Sequence, residues 1–285
     1  MNNDLEKIFR SEMTDSEFNR LSKFIYNEVG IKLPPVKKIM LQSRLQKRLR
    51  ALGIVSFKKY IDYVFSEEGL QNEIIHMLDV VSTNKTDFFR EPIHFDFLIS
   101  DILPEHMNSR NTPNVFHVWS AGCSSGEEPY TIAITLSEFK RKNLGLNFNI
   151  LGTDISTRIL KKAAEAIYPE DRIQNIPLEI KKKYFLKSKD RTNPTVRLTK
   201  EIRNTVHYNR LNFMNDYYNI GNDFDVIFCR NVLIYFNRDV QKEVILKLCK
   251  KLKVGGYLFI GHSESIMSMN LPLMQIKPTI FRKIN

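Results

Sequence analysis

Cysteine is scarce: Cys123, Cys229 and Cys249 are the only three in 285 residues. They form no C-x-x-C pair, so neither a disulfide framework nor a cysteine zinc site is expected, and a reducing cytoplasm is the default compartment. The six histidines show no H-E-x-x-H or similar ligand spacing, so no metal is expected. No apolar run approaches the roughly 18 residues of a membrane span. The opening Met1-Asn2-Asn3-Asp4-Leu5-Glu6 carries early acids and no apolar h-region, which argues against a secretory signal and against membrane insertion. Glycine and proline, 11 each, are too few for a fibrous or low-complexity chain. What remains is an ordinary globular composition, 42% hydrophobic and 26% charged, long enough for one large domain or two modest ones.

Acid is missing from one stretch altogether. Between Glu28 and Asp62 there is no Asp or Glu, while Lys32, Lys37, Lys38, Arg44, Lys47, Arg48, Arg50, Lys58 and Lys59 all fall there. With a net charge of +11, this points to an acidic partner: nucleic acid, an anionic membrane or an acidic protein surface. A solvated helix face is the plain alternative. Lys37, Lys38, Arg44, Lys47 and Arg48 are the candidate docking residues.

The first part of the chain, residues 1–82, reads as helices. Thr14 and Glu17 form a capping box, Phe18, Leu21, Ile25 and Val29 follow at helical spacing, and Gly30 marks the stop. A second helix is predicted over 35–52, with Ile39, Leu41, Leu45, Leu49 and Leu52 apolar. Ser56 caps a third that turns Phe57, Tyr60, Ile61 and Val64 inward. A fourth is predicted over 70–81 through Ile74, Ile75 and Leu78.

From about residue 115 the pattern changes to strands alternating with helices: 116–122, 129–139, 148–154, 159–166, 224–229, 239–252 and 257–261, with a closing strand at 279–283. That alternation implies βαβ units and a mainly parallel sheet. The stretch 169–210 fits poorly. Short strands at 183–186, 196–198 and 206–208 around the turn 190–194 suggest a small, basic antiparallel insert. The expected fold is α/β: a Rossmann-like domain over 83–285 carrying that insert, behind an all-helical N-terminal domain.

Gly122-Cys123-Ser124-Ser125-Gly126 joins a strand to a helix, where glycine lets a ligand approach the backbone. Alone it is a weak signal. Glu127 and Glu128 at the mouth of the next helix would repel a pyrophosphate, which needs that N-terminus free of anions. They suit a ligand with a cationic amino group, such as S-adenosylmethionine; first-turn glutamates that merely favour the helix dipole are the alternative. Asp154 ends the second strand, where an acid accepts ribose hydroxyls. Cys229-Arg230-Asn231 lies at another strand's carboxyl end. Asn212, before Phe213, is placed to reach an adenine, or is a buried turn asparagine.

Four longer segments carry a resemblance. They are Thr83-Asn84-Lys85-Thr86-Asp87-Phe88-Phe89-Arg90-Glu91, Trp119 through Tyr130, Phe228 through Phe236, and Gly261-His262-Ser263-Glu264-Ser265. In this order the chain resembles the bacterial chemotaxis-receptor glutamate O-methyltransferases over almost its whole length. The resemblance implies that Asn84, Thr86, Arg90, Glu128 and Asp154 bind S-adenosylmethionine, with Asn212, Phe213, Cys229, Arg230 and Asn231 along the adenosine side. Arg90 and Tyr235 would face the transferring methyl, although a tyrosine in Val-Leu-Ile-Tyr-Phe also reads as a core aromatic. S-adenosylhomocysteine would be one product and a methyl ester on a receptor glutamate the other. The helical domain would meet the cytoplasmic helical region of a transmembrane receptor, not nucleic acid, and the enzyme would act as a monomer. In some members the insert docks a receptor tether; the turn Lys187 to Asn193 here has no glycine pair. A nucleic-acid methyltransferase lacks support from any Asn-Pro-Pro-aromatic motif, since Asn231-Val232-Leu233-Ile234 stands at that strand end. A cofactor-binding adaptor without catalysis sits uneasily with Arg90 and Tyr235.

Overall fold

The computed structural model describes residue 8 and residues 11–108 and 115–285; the acidic start read above lies outside them. Among the described residues no helix is long and apolar enough to cross a membrane.

The N-terminal helices form as their caps dictate. α1 (Asp15–Val29) starts on the reciprocal Thr14–Glu17 capping box and ends at Gly30 in the left-handed conformation. α2 (Lys38–Leu52) follows a short 3₁₀ turn at Pro35–Lys37, and α3 (Phe57–Val64) is capped by the Ser56 hydroxyl. α2 buries Leu41, Leu45 and Leu49, whereas Ile39 lies 79% exposed on its outer side. These side chains join Phe18, Leu21, Ile25, Tyr60 and Met77 in a core of their own.

The predicted fourth helix is two: α4 (Glu67–Asn72) and α5 (Ile74–Val81). They break at Glu73, whose buried carboxylate accepts Arg48 Nε at 2.8 Å, Arg48 Nη2 at 2.6 Å and the Tyr60 hydroxyl at 2.9 Å. A buried carboxylate needs such partners, because leaving one unpaired costs about 3–5 kcal/mol. Arg48 is therefore internal rather than a docking charge. Arg44 also points inward, donating to the Val81 and Ser82 carbonyls and to Thr83 Oγ1. Lys38 pairs with exposed Asp15 at 2.6 Å, and Lys47 is exposed.

A helical run then leads toward the sheet: α6 (Ile93–Phe97), a π-helical segment (Leu98–Ile102) and α7 (Leu103–Asn108). The main sheet collects β1 (Val115–Ala121), β2 (Asn147–Asp154), β6 (Val206–Arg210), β7 (Phe224–Cys229), β8 (Leu252–Ile260), β9 (Leu273–Lys277) and β10 (Ile280–Lys283) in the order β6-β2-β1-β7-β8-β10-β9. Its first five strands are parallel, and β10 is antiparallel to both neighbours. α8 (Glu127–Lys142), α9 (Thr157–Glu165) and α12 (Arg238–Lys251) pack on it, and two apolar cores fill its two faces.

The insert is smaller than the sequence suggests. It is a three-stranded antiparallel sheet of β3 (Ile167–Pro169), β5 (Thr195–Leu198) and β4 (Phe185–Lys187); β4 is the strand expected over 183–186, starting only at Phe185 because α10 (Leu178–Tyr184) takes its first two residues. α11 (Lys200–Arg203) then returns the chain to the main sheet. There Val206–Arg210, expected in the insert, pairs parallel with β2 through Ile150–Val206 to Asp154–Arg210. Its short polar alternation marks an edge strand and does not reveal which sheet it joins.

Candidate active site

The parallel strands end together, and the loops at their carboxyl ends enclose a cleft of about 1270 Å³, part of it open to solvent. Open α/β sheets bind their ligands at this edge. Asn84, Thr86, Arg90, Glu128, Asp154, Asn212, Phe213, Arg230, Asn231 and Tyr235 all line it. Cys229 does not. It is fully buried within strand β7 among Trp119, Leu258 and Ile260, because alternation along the strand turns it into the core.

Gly122, with φ of 85°, lets the glycine loop pass under the turn after β7: a Cβ there would stand 2.4 Å from Val232 Cγ2. Asp154 is 8% exposed, and its two oxygens accept the N–H groups of Ser124 and Ser156, each at 3.0 Å. Burial pushes its carboxyl up, and those backbone donors offset only part of the rise. The two glutamates divide. Glu128 lines the cleft, accepting Ser120 Oγ at 2.7 Å and Arg230 Nη1 at 3.2 Å; burial still pushes its carboxyl up. Glu127 turns away and accepts Arg172 Nη2 at 2.8 Å.

Arg230, its side chain 2% exposed, lies beneath the cleft and joins Glu128 to Glu91, 3.1 Å away. Burial pushes the Glu91 carboxyl up, but Arg230 and the His262 N–H outweigh it and hold that carboxyl below its ordinary range. Arg90 is flanked by two non-glycine residues at positive φ, Phe89 at 54° and Glu91 at 56°. Such strain gathers where a side chain must be aimed. The Arg90 side chain is 35% exposed and only loosely held, 3.2 Å from the Lys85 carbonyl and 4.0 Å from Glu91.

Three features escape sequence reasoning. Val29, Ile31, Lys32, Leu33, Lys37 and Met40 bring the helical domain into the cleft wall. Asn212 Nδ2 donates to the Glu28 carbonyl at 2.7 Å and the Lys32 N–H to the Tyr235 carbonyl at 3.0 Å, so residues predicted for the cofactor also anchor that wall. Arg172, just after β3, ties the insert to Asp87 at the cleft and to Glu127 at the start of α8. Finally, Glu91, His94 and His262 bring three ligand-type atoms within 4.8 Å. Glu91 and His94 stand three residues apart, but His262 comes from a distant segment that no local spacing rule connects to them. The oxygen nearest both rings, Glu91 Oε2, already takes the Arg230 guanidinium, which makes the trio part of an ion-pair network. Burial, with the Arg230 charge adding to it, lowers His94 to about 3 and so holds it neutral.

The donor set fits S-adenosylmethionine: the buried carboxylates of Glu128 and Asp154 and the loop at Gly122 line the same cleft. Comparison with known proteins agrees. The family model "CheR methyltransferase, all-alpha domain" matches residues 16–82, and "CheR methyltransferase, SAM binding domain" matches residues 84–281. The chain is 41% identical to a chemotaxis protein methyltransferase of Borreliella burgdorferi over 276 residues, 95% of each chain. It is 36% identical to one of Salmonella typhimurium, covering 93% of this chain and 89% of the other, and 35% identical to one of Escherichia coli, covering 92% and 88%. With both family segments matched in order around one S-adenosylmethionine cleft, the chain belongs to the CheR methyltransferase family.

Proposed function

We propose that this enzyme transfers the methyl group of S-adenosylmethionine to glutamate side chains in the cytoplasmic helical region of transmembrane chemotaxis receptors, forming γ-glutamyl methyl esters. The observation that carries this reading is the placement of Arg90 and Tyr235 on the same cleft as Glu128 and Asp154, in a chain whose relatives of nearly equal length are chemotaxis protein methyltransferases. The enzyme works in the cytoplasm as a monomer, with residues 1–82 as its receptor-facing domain and 83–285 as its catalytic domain.

When bound, S-adenosylmethionine supplies a methyl group on a sulfonium that is already a good leaving group. The chain's task is to orient and desolvate. A glutamate carboxyl has an ordinary pKa of about 4.3, so the substrate is ionised near neutrality and needs no general base. Arg90, partly exposed and without a close ion pair, receives that carboxylate loosely enough to leave an oxygen nucleophilic. The Tyr235 hydroxyl, on the same cleft, orients it. Asp154 keeps lone pairs free for ribose hydroxyls while its own backbone bonds fix its rotamer. Glu128 faces the cationic amino end. Asn84, Thr86, Asn212, Phe213 and Asn231 complete the walls.

Receptor-containing membranes incubated with methyl-labelled cofactor should take up label that mild alkali releases as methanol. Alkali-stable label, or label in nucleic acid alone, would sink this reading, and cofactor binding without any label would favour an adaptor.

With Arg44 and Arg48 turned inward, the docking face comprises Lys37, Lys38 and Lys47. Val36 and Ile39 stand beside the first two, 82% and 79% exposed, as apolar contacts for a receptor helix. Reversing Lys38 and Lys47 together to glutamate should raise the receptor KM roughly 5- to 10-fold, as rim charges do, with cofactor affinity intact. A parallel loss of cofactor affinity would show the helix to be structural only.

A further inference from the structure

We propose that Glu264 is a positioning residue for methyl transfer: its carboxylate fixes the turn that carries Asn231 and Tyr235 into the cleft. This inference rests on the roles assigned above to those two residues.

Glu264 lies in the turn after β8 and is 9% exposed. Its Oε2 accepts the N–H of Asn231 at 3.0 Å and that of Gly261 at 2.6 Å, and its Oε1 accepts the N–H of Ile234 at 3.3 Å. A buried carboxylate with backbone donors as its partners is holding main chain in place. What it holds is unusual. Asn231 has φ of 59°, a left-handed conformation uncommon for non-glycine residues although asparagine enters it more readily than most. Directly after it, Leu233–Tyr235 makes one 3₁₀ turn, too short to define its own geometry.

The packing around Glu264 leaves the turn little room. A Cβ on Gly261 would stand 2.8 Å from Asn231 N and 2.9 Å from Glu264 Oε2, so the ends of β7 and β8 close tightly on the carboxylate. Val232 presses on Gly122 from the other side. The free end of the turn, the Tyr235 carbonyl, is held by the Lys32 N–H. Glu264 itself does not line the cleft, so its influence passes through the backbone it holds.

The side chain must accept and not donate. Glutamine in its place would bring an NH₂ group against backbone N–H donors, leaving a buried donor unpaired. Aspartate keeps the charge but is one methylene shorter. A displacement on the order of 1 Å in an aligned site costs about 100-fold in rate.

The test measures kcat at saturating cofactor, cofactor Kd and thermal stability for Glu264→Gln, Glu264→Asp, Tyr235→Phe and the combination of Glu264→Gln with Tyr235→Phe. Glu264→Gln should lower kcat about 10- to 100-fold, and Glu264→Asp should restore part of it. In the Glu264→Gln background, Tyr235→Phe should cost less than it does in the native enzyme, because the hydroxyl is already misplaced. If the two losses simply multiply, Glu264 does not act through Tyr235 and the proposal falls. Should Glu264→Gln not fold, the same cycle is run with Glu264→Asp. If Tyr235→Phe alone leaves kcat unchanged, the assignment of Tyr235 fails instead. The Asn231→Ala cycle on cofactor Kd then decides for Glu264: coupled losses support it and independent ones overturn it.

Discussion

Arg230→Met should abolish measurable cofactor binding and lower folding stability by about 3–5 kcal/mol, the usual cost of stranding a buried charge. The guanidinium holds Glu91 at 3.1 Å and Glu128 at 3.2 Å, and it also donates to the Arg90 carbonyl. One side chain thus ties the end of β7, the start of α8 and the segment carrying Arg90. Methionine keeps much of the volume but removes the cation that joins the two carboxylates. Calorimetric titration would report the cofactor and urea unfolding the stability. Retention of near-native affinity would show that Glu128 needs no fixed partner.

The pH dependence of that variant has a definite sign. In the native protein Arg230 and the His262 N–H hold the Glu91 carboxyl below its ordinary range. Its contribution is therefore present at neutral pH and lost as pH falls through the lowered folded value. Without Arg230, only the His262 N–H still opposes burial, the largest influence on Glu91, and the folded value rises above the unfolded one. The variant should then gain stability as pH falls from neutrality through that raised value, so its deficit against the native protein narrows in mild acid. A deficit that stays constant with pH would place the lost energy in packing rather than in charge.

Much of this architecture was legible because local chemistry declared it. Thr14 and Glu17, Gly30 and Ser56 are caps whose geometry needs nothing beyond their neighbours, and each sits where its residue type places it. The central parallel strands, β1, β7 and β8, carry apolar runs ending in turn residues. Legibility stopped where a distant partner decides. Nothing near Glu73 says that its carboxylate meets Arg48 and Tyr60, so the fourth helix read as continuous. Val206–Arg210 carries a strand pattern that two different sheets accommodate equally well.

In the cleft, Asn84, Thr86, Arg90, Glu128, Arg230, Asn231 and Tyr235 came from three of the four segments whose order could be recognised, while Asp154, Asn212 and Phe213 lie outside them. Cys229 was misplaced because a motif carries a whole segment while a strand turns alternate residues to opposite faces. Arg48 and Arg44 looked like surface charge for a related reason: a basic run shows sign but not direction. The residues that hold the site together, Arg172 and Glu91, are ordinary charges in sequence and gain meaning only through partners far along the chain.

Arg90→Ala should lower kcat about 100-fold, the scale expected when an orienting contact is lost, while cofactor Kd changes little. The backbone argument favours a rate effect. Arg90 sits between Phe89 and Glu91, both at positive φ, and the Phe89 N–H is pinned by Thr131 Oγ1 at 3.1 Å. Its own carbonyl accepts Arg230. The main chain is therefore held without help from the Arg90 side chain, and truncation should leave the cleft's shape intact. What disappears is the planar fork that meets a carboxylate. Arg90→Lys keeps the charge but presents a single point donor, so it should recover only part of the rate. Rapid-quench measurement of methyl transfer under saturating cofactor and receptor isolates that step from binding. Equal kcat in Arg90→Ala and the native enzyme would remove Arg90 from the chemistry. A loss confined to cofactor Kd would assign it to binding instead.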